Sequence, residues 1–98
     1  MVRSRLAHFA SDLQGFQIYL FGSRATGHAK LRSDFDLGVH GSSPLPLKVF
    51  FAIEDALENI PTLYSFDWVD LNRVDDKFFQ EAMKGAQIIY GQTPIVDQ

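Results

Sequence analysis

Residues 16–40, FQIYLFGSRATGHAKLRSDFDLGVH, decide how the chain folds. Phe16 to Phe21 is rich in aromatic and β-branched residues and stops at Gly22, which reads as a strand running into a tight turn. Beyond the small, basic loop 22–33, Phe35, Leu37 and Val39 alternate with Asp34, Asp36, Gly38 and His40. Residues 34–40 therefore form a second strand with one apolar and one polar face. Asp34 and Asp36 share the polar face.

Working outward, Leu6, Phe9, Ala10 and Leu13 recur at helical spacing, Ser4 is a candidate cap, and Gly15 occupies a C′ position, so residues 4–14 are expected to be helical. After the GSSPLP connector at 41–46, Leu47, Phe50, Phe51, Ile53, Glu54, Leu57 and Ile60 describe an amphipathic helix ending before Pro61. Residues 63–71, LYSFDWVDL, make a third strand. Asp75 or Asp76 caps a helix to about Lys84 that turns Phe78, Phe79, Ala82 and Met83 inward, with Gly85 closing it. Ala86 to Tyr90 is a short final strand. The order is α-β-β-α-β-α-β: an α/β or α+β arrangement, a small mixed sheet of about four strands with helices on one face and the other left for chemistry.

Composition agrees and excludes much else. Ninety-eight residues, 46% hydrophobic and 21% charged, suit a single domain spanning 1–98, with enough apolar bulk to rule out global disorder. The longest uninterrupted apolar run, Val49 to Ile53, is far short of the roughly 20 residues that cross a bilayer. The N-terminus lacks a signal-peptide core, so a cytoplasmic location is expected. With no cysteine, thiolate catalysis and Cys-ligated metals are out, and any metal must be held by oxygen or imidazole. The net charge of −3 hides an asymmetry: residues 1–33 carry five basic groups against Asp12 alone, and residues 34–98 carry four against eleven acids. No basic face for gripping a polynucleotide results, which speaks against nucleic acid as a partner.

The chemistry is concentrated in Gly22-Ser23, ten intervening residues, then Asp34-Phe35-Asp36. A glycine directly after a strand lets backbone approach a ligand with no Cβ in the way, and Ser23 adds a hydroxyl and an N–H, so the two make a phosphate cradle. Aspartates at i and i+2 of a strand lie on one face with Cα atoms roughly 6.5–7 Å apart, close enough to converge on hard cations. Without a cation they would repel; Mg²⁺ bridging them to nucleotide phosphates is the natural remedy. A third carboxylate would complete a two-metal site. Asp67 is preferred, because Phe66 and Trp68 beside it should point into the core, and Asp70 at the strand's end is the alternative. Arg24 is the best placed of Arg24, Lys30 and Arg32 to neutralise phosphate charge. His28 and His40 have no metal-ligand spacing between them, although His40 shares the aspartate face. Trp68 reads as core filler before it reads as a base-stacking platform.

FGSRATGHAKLRSDFDLGV resembles the Gly-Ser-x10-Asp-x-Asp signature of the polymerase-beta-type nucleotidyltransferase superfamily, and the length and strand order resemble its minimal nucleotidyltransferase (MNT) members. FDWVDLNRV resembles the family's third-carboxylate strand, and KGAQIIYG its closing helix and strand. The resemblance implies that Gly22 and Ser23 hold a triphosphate and that Asp34, Asp36 and Asp67 bind Mg²⁺ and carry catalysis, with Asp67 helping to activate a hydroxyl. The reaction implied is attack of that hydroxyl on the α-phosphate of a nucleoside triphosphate, ATP by expectation, with release of pyrophosphate. Larger members add a helical domain for the acceptor, and a chain ending at Gln98 implies a partner instead. Such minimal proteins are commonly paired in a hetero-oligomer with a small helical HEPN-type protein, acting as antitoxin by adding AMP to a partner tyrosine. The alternatives are transfer to RNA or a small molecule, or a catalytically silent module that neutralises its partner by occlusion.

Overall fold

The computed structural model describes residues 2–22, 35–62 and 65–91. Ser23, Arg24, His28, Lys30, Arg32 and Asp34 lie outside the described residues. The elements run α1 (Val2–Ala7), β1 (Phe16–Phe21), β2 (Phe35–Gly41), α2 (Leu47–Glu58), β3 (Phe66–Asp70), α3 (Asp76–Met83) and β4 (Gln87–Tyr90). The strands form a mixed sheet in the order β3-β2-β1-β4. β1 is antiparallel to both β2 and β4, and β2 is parallel to β3. A parallel pair needs a crossover long enough to return the chain to the starting end, and α2 supplies it.

Strand alternation sends Ile18, Leu37 and Val39 to one face, where they meet Leu6 of α1, Leu45, and Ile53 and Leu57 of α2, all 0–1% exposed. Removing each such side chain from water contributes about 1.5–3 kcal/mol. Trp68 belongs here too: it is 7% exposed, its ring stacks on Phe50 at 5.5 Å and 20°, and its indole N–H donates to the Phe50 carbonyl at 3.0 Å. The sequence expectation of core filler holds.

The opposite face is not left bare. Tyr19 and Phe21 point there and are covered by Phe79, Ala82 and Met83 of α3. A helical stripe tells that a helix must bury a face, not which side of the sheet receives it, so the two-sided arrangement was not readable. α3 is fixed at its start by Asp75, whose carboxylate accepts from the Phe78 N–H at 2.8 Å, and is closed by Gly85 at φ +73°.

Three local expectations change. The first helix stops at Ala7 rather than reaching residue 14, with Ser4 inside it, because His8, Phe9 and Ala10 donate to carbonyls three residues back, tightening the chain into turns. Phe78 is 43% exposed rather than inward. Leu47 and Phe51 are 51% and 56% exposed, leaving Phe50, Ile53 and Leu57 to anchor α2. Among the described residues, no helix is long and apolar enough to cross a membrane.

Candidate active site

Three residues form a row across the sheet. Phe21, the last residue of β1, pairs with Asp36 of β2, and Asp36 pairs with Asp67 of β3. Directly paired residues project from the same face, so the Asp36 and Asp67 carboxylates emerge side by side on strands about 4.8 Å apart. The neighbours of Asp67 go the other way: Trp68 is buried beneath α2, and Asp67 is exposed.

The bend after β1 closes onto this row. Gly22 adopts φ +77°, a left-handed conformation that disfavours side chains, and a Cβ there would overlap a carboxylate oxygen of Asp36 and sit 3.2 Å from its Cγ. Only a residue without a side chain lets the backbone lie this close to Asp36. The glycine and the carboxylate expected to share a site are thus brought together, as are Asp36 and Asp67.

Asp70 takes a different place. It is 6% exposed on the α2 side of the sheet. Its carboxylate accepts from Leu45 N–H at 3.1 Å, Asn72 N–H at 2.9 Å and Arg73 Nε at 3.2 Å. Arg73 in turn donates to the Leu45 carbonyl at 3.2 Å, and Asn72 exchanges two 2.8 Å bonds with the Gly41 backbone. Asp70 therefore ties the β2–α2 connection to the end of β3, with its oxygens directed away from Asp36. His40 shares the aspartate face but packs its ring on Phe79 at 4.9 Å, away from the carboxylate row.

A cleft of about 640 Å³ opens over the row, lined by Phe21, Asp36, Asp67 and Phe78 and, from α2, by Glu54 and Glu58. Every ionisable side chain among these is a carboxylate. Hard oxygen donors with no basic side chain beside them among the described residues suit a hard divalent cation, so the described residues fit a Mg²⁺-type ion. Among the described residues no set of three ligating side chains closes on one point; Asp36 and Asp67 form a pair. Sequence reading missed the two glutamates as cleft residues, although their i, i+4 spacing puts them on one face of α2.

A family model described as polymerase beta nucleotidyltransferase matches residues 9–95. Among solved structures, a chain from a toxin–antitoxin complex with AMP-PNP aligns at a TM-score of 0.70 and 21% identity, covering 93% of this chain and 73% of that one. A chain of the MntA–HepT toxin–antitoxin complex aligns at 0.63 and 17% identity, over 93% and 70%. A third, from a tri-AMPylated Shewanella oneidensis HEPN toxin in complex with MNT antitoxin, aligns at 0.53 and 20%, over 94% and 74%. No match was found among curated proteins. At these identities the structural likeness establishes a shared fold.

Proposed function

The chain belongs to the polymerase beta nucleotidyltransferase family, and from that premise we propose that it transfers AMP from ATP to a hydroxyl of a small helical partner protein of the HEPN type, as the antitoxin of a toxin–antitoxin pair. The observation carrying this reading is the alignment of Asp36 with Asp67 beneath the Gly22 bend. The partner assignment rests on the neighbours of this fold, which come from toxin–antitoxin complexes, one with AMP-PNP and one with an AMPylated HEPN toxin.

In this reading Gly22 lets the backbone lie against the nucleotide's phosphates, with Ser23 and Arg24 completing the cradle. Asp36 and Asp67, joined by Asp34, would hold Mg²⁺. When bound, the metal supplies charge stabilisation for the entering and leaving oxygens of an in-line displacement. Asp67, the more exposed of the described pair, faces the incoming acceptor and takes the proton from its hydroxyl. A bond forms between that oxygen and the α-phosphorus, the bond to the β-bridging oxygen breaks, and pyrophosphate leaves. Positioning and electrostatics are the chief requirements of such a transfer. The acidic cleft wall of Glu54 and Glu58 disfavours a polyanionic acceptor such as RNA.

Incubation of the protein with its partner, ATP and Mg²⁺ should raise the partner's intact mass by one AMP for each modified site. Inhibition of the partner with no mass change under any nucleotide would replace transfer by occlusion.

A further inference from the structure

Phe78 stands at the first turn of α3 with its ring 43% exposed, and its backbone is pinned by the 2.8 Å bond to the Asp75 carboxylate. The ring meets Phe21 edge to face, with centroids 6.2 Å apart at 81°. Beside these two rings lies a second recess, of about 200 Å³, lined by Phe21, Gly22, Phe78, Glu81 and Ala82. Phe21 and Phe78 also line the main cleft with Asp36 and Asp67, so the two cavities share an aromatic wall, and Gly22, which lines the recess, lies against Asp36 of the main cleft.

A nucleoside triphosphate needs two unlike environments within one molecule's length. Its phosphates require backbone approach and cations, and its base requires a flat, water-excluding surface. Resting on the transferase reading, we infer that the recess beside Gly22 receives the nucleobase, with Phe78 as its stacking platform. The Gly22 bend and carboxylate row serve the phosphate end, and the recess offers the apolar end. Trp68, the aromatic residue that composition would nominate, lines the main cleft but not this recess; it is only 7% exposed, its ring is stacked on Phe50 and its N–H is engaged. Because every base has a π-face, a phenylalanine platform adds affinity without strongly choosing among bases.

The test compares binding of Mg²⁺-ATP and of Mg²⁺-tripolyphosphate, which lacks base and ribose, by isothermal titration. Phe78→Ala should weaken ATP by about 5- to 150-fold, the range of one stacked base, and leave tripolyphosphate unchanged. Phe78→Trp should restore ATP affinity, and Phe51→Ala, which removes a still more exposed ring on α2, should change neither ligand. Wild-type ATP affinity in Phe78→Ala would overturn the platform and leave the transferase reading standing. Equal weakening of both ligands would also overturn it, placing the effect on the cradle. Failure of the wild-type protein to bind either ligand would overturn the transferase reading itself.

Discussion

Asp36 and Asp67 are direct partners in the parallel ladder between β2 and β3, so two carboxylates leave the same sheet face on adjacent strands. Like charges held that close repel each other unless a cation intervenes. A ladder built only for stability gains from apolar or oppositely charged pairs at such positions. In the proposed reading the pair serves to bind the metal and nucleotide.

Asp67→Asn should leave stability within about 0.5 kcal/mol of wild type, since the side chain is exposed, while abolishing AMP transfer. Asp70→Ala should do the reverse in kind. It strips partners from the Leu45 and Asn72 N–H groups and from Arg73 and should cost about 2–4 kcal/mol. Urea unfolding of the two variants distinguishes them; a stable, inactive Asp70 variant beside an active Asp67 variant would exchange their roles.

Gly22→Ala places a Cβ in a left-handed backbone and against the Asp36 carboxylate. The backbone conformation alone should cost about 1–2 kcal/mol, and displacement of Asp36 should abolish transfer even at temperatures where the variant is fully folded. Chemical denaturation and a transfer assay on the same sample check both; unchanged activity would separate the bend from the chemistry.

Trp68→Phe removes the donor to the Phe50 carbonyl and part of the stack on the Phe50 ring. A loss of about 1–3 kcal/mol is expected in thermal or chemical unfolding, with the KM for ATP unchanged. A raised KM at wild-type stability would make Trp68 a nucleotide contact.

Burial pushes the Tyr19 phenol above its ordinary value of 10.0. The folded state therefore keeps its proton to higher pH than the unfolded chain does, and stability must fall as pH rises. The contribution is complete below pH 10.0 and is lost as pH climbs through the raised folded value. Ultraviolet phenolate titration should show a late-titrating tyrosine that disappears in Tyr19→Phe.

Much of this was legible because it is local. The strand at 16–21, the alternation from Phe35 onward, a cap at Asp75 or Asp76 and the Gly22 turn depend on residues within a few positions of one another, and period and capping chemistry report them directly. The choice between Asp67 and Asp70 was half legible: residues three apart on a strand must face opposite ways. Which way depended on the packing of Trp68 against Phe50, a contact spanning 18 residues. The packing side of α3, and with it the exposure of Phe78, depended on sheet order and β3 register, which no local pattern encodes. Glu54 and Glu58 reach the cleft for the same reason, because the crossover brings α2 past the ends of β2 and β3. Ser23, Arg24 and Asp34, read from the motif, lie outside the described residues.

Pyrophosphate release from ATP in the presence of partner and Mg²⁺, measured for the wild type and for Asp36→Asn with matched unfolding curves, is the most direct test of chemistry at the carboxylate pair. Loss of one such electrostatic anchor should slow release by at least about 100-fold. A folded Asp36→Asn protein releasing pyrophosphate within about twofold of the wild-type rate would contradict the placement of the reaction between β2, β3 and the Gly22 bend.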